Sequence, residues 1–513
     1  MNPYWFEMAA AALLLLTLFV GDLLLFPAHS APKKGGWRLD VVLFLLALWV
    51  LFALNNHKFV VYNNYSYLTQ ALLEGHLDTP NLPDYLESFS LGGKTYMHFA
   101  PGVALLLVPL GLFVEPLSIN YAYVGITLGA LSTVLFRRIL QNLSIGRDTR
   151  EQVWCAVLVL FGTVHCFCAA IAHSWFIGHA ASWMLLFLSL FLVTLPYRHT
   201  WAESLGFFLG GLSFGLCVCC RLGNLLGAGV FVAYILLYKK KSFLRCGLLF
   251  AAGAAVFGGL YMGMNYVRFG TIMDRSYDLT HLKDLFKPLY YYMQEAFSDG
   301  REQMAFLNAV EKRDWAAAFP TVEAQRSFLA FLQRNAQQSW NYCQGIPQAA
   351  ATLTDEQATE AFFELVELSF PRVGGALSLA NAKHNLYSIF LLMPEFTKTS
   401  PFVIPTLAGV SLTFCTPLMY GGLVPLYTRR KEPMTWVLLG TAVVSALPFV
   451  LNYGNGFAQF GMRYAMDFLP YVLLLACRGL TERPWKSYKT ALVLLCVLIN
   501  VWGPIYWNCF YLG

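Results

Sequence analysis

Apolar runs long enough to cross a bilayer as helices recur along the whole chain. They lie near positions 4–26, 38–55, 118–136, 151–171, 174–195, 202–220, 223–238, 244–266, 401–427, 434–451, 464–478 and 488–507. A span needs about 20 predominantly apolar residues. Short polar turns separate most of these runs, and the pattern predicts an all-α, polytopic transmembrane helical bundle of about twelve spans. No Lys or Arg precedes the run at 4–26, which therefore reads as a retained span rather than a cleavable signal.

One further run, Phe99–Glu115 in "GGKTYMHFAPGVALLLVPLGLFVEP", is seventeen residues long and contains Pro101 and Pro109. Charge decides how to read it. With this run not crossing, nineteen basic residues in six short turns fall on one face, and only Lys58, Lys94, Arg221 and Arg463 lie in the opposite short loops. A crossing here would destroy that asymmetry, so the positive-inside rule predicts a juxtamembrane or re-entrant segment. Both termini and the large loops are then expected outside the cytoplasm, in an inner (plasma) membrane protein. The expected organisation is an N-terminal transmembrane region at 1–266 with an outer loop at 55–120, a helical extracytoplasmic cap domain at 267–400, and a C-terminal transmembrane region at 401–513. Within the cap, Thr354 and Gln357 form a capping box ahead of "TDEQATEAFFELVELSF", and amphipathic patterns run through Arg301–Phe319 and Thr321–Cys343.

Composition agrees with the pattern: 57% of residues are hydrophobic and 12% charged, and the mean hydropathy is +0.54. A soluble class is excluded. The net charge of +6 reads as a topology signal, which argues against a nucleic-acid partner. Ten of the twelve cysteines sit within or beside apolar runs and read as small buried side chains. Cys217, Cys219 and Cys220 lack the paired spacing of a zinc site, so no metal ligands are assigned. The cofactor is left open, a divalent metal included.

Four stretches carry candidate chemistry. The first outer loop has helical periodicity over Tyr67–Leu77 and turns at Asp78–Pro83 and at Gly92–Gly93. It holds Glu74, Asp78, Asp84 and Glu87 near the water interface. A carboxylate placed there can act as a general base on an acceptor, and it can equally be a solubilising charge. In "MNYVRFGTIMDRSYDL", Arg268 and Arg275 suit a phosphate at headgroup depth or simple snorkelling. "NYGNGFAQFGMRYAMDFLP" brings Arg463 and Asp467 into a span, four residues apart and so spaced to pair with one another on a helix. "HSWFIGHAASW" places His173 and His179 on different helix faces, which disfavours a shared metal.

Taken together these patches resemble the GT-C-type membrane glycosyltransferases that use polyprenyl-phosphate-linked sugars, the protein mannosyltransferase and aminoarabinose transferase relatives among them. The likeness rests on "YLTQALLEGHLDTPN" followed by "GGKTYMHFAPGVALLLVPL", on "NYVRFGT", on "GMRYAMDFLPYVLLL", and on the surroundings of His179 and Arg221. It covers about residues 40–280 and 385–480. It implies transfer of a sugar from a polyprenyl-phosphate donor to a glycan, lipid or protein acceptor at the outer face of the bilayer. Asp78 or Asp84 would be the base. Lys94, His98, His179, Arg268, Arg463 and Tyr464 would contact substrate. One departure stands out: where many relatives carry an acid, "FVVYNNYSY" has Asn63 and Asn64. Two other readings stand beside this one: a transporter or flippase, and a non-catalytic GT-C-like subunit.

Overall fold

The computed structural model describes residues 36–335, 353–369, 377–452 and 454–511. The expected span at 4–26 lies outside them. Among the described residues seven helices are long and apolar enough to cross a membrane: Trp37–Asn55, Tyr121–Asn142, Ser174–Thr194, Thr200–Cys220, Phe243–Phe269, Pro433–Leu451 and Ser487–Tyr511. Each coincides with an expected run. The run at 151–171 is broken instead, with Thr149–Phe161 and His165–Ile171 meeting at 59°. At the break the Thr416 hydroxyl donates to the Gly162 carbonyl at 2.9 Å and the Thr163 hydroxyl to the Val159 carbonyl at 2.8 Å. Backbone groups released by a kink inside apolar surroundings need such partners.

The remaining expected spans are shorter or discontinuous. Residues 223–238 give a 3₁₀ segment, Leu222–Gly227, and an eleven-residue helix, Ala228–Tyr238. Residues 464–478 give a 3₁₀ turn, Arg463–Asp467, followed by Leu469–Thr481. The run at 401–427 does not form a span: it divides into a two-residue strand, the short helices Leu412–Cys415 and Leu423–Thr428, and a 3₁₀ segment, Pro417–Gly422. Hydropathy read it as continuous, but Pro401, Pro405, Pro417 and Pro425 remove donors and clash with preceding carbonyls. Asn500 Nδ2 donates to the carbonyl of Cys415 at 2.6 Å, tying that broken stretch to the last helix.

The Phe99–Glu115 run contains one ten-residue helix, Gly102–Gly111. At a rise of about 1.5 Å per residue it is roughly 15 Å long, half of a hydrocarbon core about 30 Å thick. Its first residue sits against the end of the Thr200–Cys220 helix, where a Cβ on Gly102 would lie 2.2 Å from the Cys220 backbone nitrogen. Only glycine permits that approach. Gly102→Ala is expected to cost about 1–3 kcal/mol by overpacking, read as a lower thermal midpoint of the purified protein; an unchanged midpoint would show that the helix is free to move away.

The chain groups into two compact units. One, the span unit, comprises Met1–Tyr65, Ala100–Gly259 and Leu379–Gly513; the other, the loop unit, comprises Ser66–Phe99 and Leu260–Ser378. The loop unit joins part of the first outer loop to the segment that follows the Phe243–Phe269 helix. It has its own core, with Phe89, Leu279, Leu289, Met293, Phe328 and Phe362 all essentially inaccessible. Three of its helices start at capping side chains. Asp299 accepts from Arg301 N at the head of Gly300–Lys312, Thr321 from Ala324 N at the head of Val322–Arg334, and Thr354 and Gln357 bond reciprocally, at 3.0 and 3.3 Å, ahead of Asp355–Ser369. The expected turn at Gly92–Gly93 closes a β-hairpin, Ser88–Leu91 against Lys94–Met97. Both glycines have positive φ, 57° and 71°, the two-residue turn whose twist suits a hairpin.

In the span unit, Asp40 on Trp37–Asn55 accepts from Arg137 Nε at 2.8 Å and also pairs with Arg138. The ten cysteines expected in apolar surroundings are buried, and no disulfide links them.

Candidate functional site

In the span unit the candidate residues gather around one tyrosine. The Thr200–Cys220 helix ends at Arg221, whose backbone turns extended at φ −153° and ψ 111°. Its guanidinium makes a two-pronged bond to Asp467, at 2.8 and 2.9 Å. The guanidinium carbons of Arg221 and Arg463 lie 5.3 and 5.1 Å from the centre of the Tyr464 ring. Arg463 also lies 5.4 Å from the Phe176 ring and donates to the Phe457 carbonyl at 3.4 Å. Ring faces attract guanidinium by their quadrupole, so Tyr464 helps to hold both cations in one place.

The expected Arg463–Asp467 pair does not form. Residues 463–467 are 3₁₀, with about three residues per turn, so positions four apart no longer share a face. Asp467 goes to Arg221 instead. Among the described residues no carboxylate forms an ion pair with Arg463, although the side chain is only 7% exposed.

His179, on Ser174–Thr194, lies edge-on to Tyr464 with ring centres 5.9 Å apart. It is fully buried, and neither ring nitrogen has a hydrogen-bond partner among the described residues. His165 is buried in the same way, with its ring 4.7 Å from that of Trp183. Trp183 Nε1 in turn donates to the Met466 carbonyl at 2.6 Å and anchors the 463–467 turn. The sequence reading missed His165, because a histidine inside an apolar run carries no signal of what it faces. At Asn63 and Asn64, where the resemblance expects an acid, both side chains are buried. The Tyr121 hydroxyl donates to the Asn63 carbonyl at 3.0 Å, and the Asn64 backbone N–H donates to Ser174 Oγ at 3.0 Å.

The loop unit holds the other candidates. The Thr79 N–H donates to the Thr95 carbonyl at 2.7 Å, which sets Asp78 beside the hairpin. The Asp78 carboxylate lies 3.6 Å from Lys94 Nζ. His76 contacts the Asp78 carbonyl at 2.9 Å and the Glu74 carboxylate at 3.0 Å. Those bonds, the first more than the second, raise its pKa above the ordinary value. Asp84 is exposed and has no ion-pair partner among the described residues. Arg268 is enclosed by Phe89, Tyr96 and Phe269, 4.7 to 5.7 Å from their ring centres, and donates to the Met97 carbonyl and to Ser276 Oγ. It therefore packs the hairpin within its own unit. Arg275 pairs with Asp278 at 2.8 Å and Glu311 at 2.7 Å, a structural network rather than an open anion grip.

His98, at the end of the hairpin, is 5% exposed, and its Nε2 lies 3.1 Å from Glu87. Its ring meets the Tyr277 ring edge-on. Burial lowers its pKa below the usual 6.5, outweighing the opposing pull of Glu87. A lowered imidazole contributes stability that is present above the ordinary value and is lost as pH falls through it toward the folded value. Amide exchange protection in the Ser88–Met97 hairpin is therefore expected to fall between about pH 8 and pH 5, and His98→Gln should flatten that dependence. An unaltered slope in the variant would transfer the effect to other groups.

No group of three or more His, Cys, Asp or Glu able to hold a metal occurs among the described residues. No family model matches the chain, and no curated protein matches it. Among solved structures it is similar to the Archaeoglobus fulgidus oligosaccharyltransferase, captured with a tethered acceptor peptide containing an NVT sequon, at 14% identity and a TM-score of 0.45. The match covers 92% of this chain and 54% of that one, so the chain spans about half the length of the structure it matches. At this identity and score the likeness assigns neither chemistry nor site residues.

Proposed function

We propose that the protein is a membrane glycosyltransferase that moves a sugar from a polyprenyl-phosphate-linked donor to an acceptor at the outer face of the bilayer. The observation that carries this reading is Arg463, a buried cation with no carboxylate counter-ion among the described residues, held over Tyr464 and Phe176. An uncompensated buried charge is costly, and in a membrane-spanning unit such a residue marks a ligand of opposite sign. A guanidinium matches phosphate oxygens in pairs.

In this reading Arg463 steadies the donor phosphate, with Tyr464 and His179 beside it. The acceptor hydroxyl or amide gives up its proton to a base, a role that the resemblance alone gives to Asp78 or Asp84. The acceptor atom bonds to the anomeric carbon, the bond from that carbon to the phosphate oxygen breaks, and polyprenyl phosphate leaves with the electron pair. Lys94 beside Asp78 and Arg268 against the hairpin are less available to a phosphate, because each is engaged inside the loop unit.

Purified protein offered a panel of polyprenyl-phosphate sugars should bind and consume one of them. Arg463→Gln should weaken donor binding at least about tenfold, or about 1.4 kcal/mol; unchanged affinity would remove Arg463 from the donor site. A second reading, a non-catalytic relative that binds the donor or assembles with an enzyme, is favoured by the buried amides of Asn63 and Asn64. Donor binding without turnover across the panel would select it.

A further inference from the structure

The span unit holds a cavity of about 270 Å³, separate from the Tyr464 cluster and lined by Arg147, Arg429, Arg478, Glu482, Leu143 and Ile145 among others. It lies where the turn after Tyr121–Asn142 and the turn before Pro433–Leu451 meet the end of Leu469–Thr481. A water occupies about 30 Å³ of liquid, so the space admits a group far larger than one solvent molecule.

Its electrostatics select the sign of that group. Arg429 pairs with Glu432 at 3.0 Å and also with Glu482, and Arg478 pairs with Glu432. Arg147 donates its guanidinium to main-chain carbonyls, those of Thr481 at 3.3 Å and of Glu482. Glu151 is engaged by the Arg147 backbone N–H at 2.7 Å. Two carboxylates are thus divided between two of the three guanidiniums at the cavity. The turns around it, 147–151, 429–432 and 478–489, carry nine basic side chains against four acidic ones. Such a concave patch focuses a positive potential.

We propose that this cavity is a phosphate site at the ends of the spans, on the face of the basic turns, taking the headgroup phosphate of an anionic phospholipid. The guanidinium forks supply paired bonds to phosphate oxygens, and Leu143 and Ile145 offer an apolar wall to the glycerol end of the lipid. Basic pockets between spans on the cytoplasmic side bind headgroups in this way. Free phosphate shares the chemistry, and the test separates the two sources.

The full-length protein, held in a neutral detergent, is titrated with short-chain phosphatidylglycerol, short-chain phosphatidylcholine or inorganic phosphate, while the thermal midpoint is followed. Phosphatidylglycerol should raise the midpoint by about 2–4 °C, and phosphatidylcholine should leave it unchanged. A rise with inorganic phosphate alone assigns the site to free anion; a rise that needs the lipid assigns it to the headgroup. Arg147→Gln and Arg429→Gln should each abolish most of the rise, and Arg198→Gln, in a different basic turn, should keep it. Because Arg147 also caps a helix, native mass spectrometry of retained phosphatidylglycerol, read on the Arg429→Gln protein, gives a measure that does not depend on stability. No rise with either anion, a full rise in both cavity variants, or an equal loss in Arg198→Gln would overturn the proposal.

Discussion

Asp467→Asn should destabilise the protein by about 3–5 kcal/mol, the cost of stripping one partner from a buried ion pair. The carboxylate is 9% exposed and the Arg221 side chain 18%, and the pair is two-pronged at 2.8 and 2.9 Å, so little water is present to take over either charge. The loss has a second component. Arg221 and Arg463 lie over the same Tyr464 ring, and without Asp467 nothing within the pair offsets their mutual repulsion. Thermal unfolding in detergent should show the full drop for Asp467→Asn and for Arg221→Met. The double variant Arg221→Met/Asp467→Leu should recover much of it, since an apolar pair leaves no buried charge behind. Strict additivity in that cycle would mean that the two side chains do not depend on each other, against the geometry. If the cluster receives a phosphate, donor binding should fall in Asp467→Asn even where the protein is still folded, because Tyr464 then lacks its frame.

If Asp78 is the base that the resemblance implies, Asp78→Asn should slow sugar transfer by about 10²–10⁴, the range of a lost general base, with donor affinity nearly unchanged. The motivation is the resemblance; in the structure the Asp78 carboxylate lies beside the hairpin, 3.6 Å from Lys94. Asparagine keeps the shape and loses the proton acceptor, so a fall in turnover without a fall in donor binding separates chemistry from folding. Asp84, exposed and without an ion-pair partner among the described residues, is the alternative base, and the variant Asp78→Asn/Asp84→Asn decides between them. Full activity in the double variant would remove both carboxylates from the reaction. The expected pattern is a strong loss in Asp78→Asn with little further change on adding Asp84→Asn.

The two predictions address different kinds of residue, and their legibility in the sequence differed accordingly. Hydropathy alone located the long helices, since apolar length is a local property: Trp37–Asn55, Ser174–Thr194 and Thr200–Cys220 fall where the runs do. Phe99–Glu115, interrupted by two prolines, carries a helix of only ten residues. Capping is equally local. Thr354 and Gln357 announced the start of Asp355–Ser369 because a capping box needs only residues three apart.

What the tertiary structure decided are the matters that depend on partners distant in the chain. Where 151–171 bends, the Gly162 carbonyl is satisfied by Thr416, 254 positions away. Asp467 pairs with Arg221 across 246 positions rather than with Arg463 four residues away, because a 3₁₀ turn removed the helical spacing. Arg268, which as sequence suits a phosphate, is taken up by three aromatic rings of its own unit. Composition and periodicity thus determined that the chain is helical, apolar and built of spans, because burying apolar surface depends on residue type and order. Which cations keep a neutralising carboxylate, and which, like Arg463, have none among the described residues, is a property of three-dimensional neighbours, and only the fold supplies those.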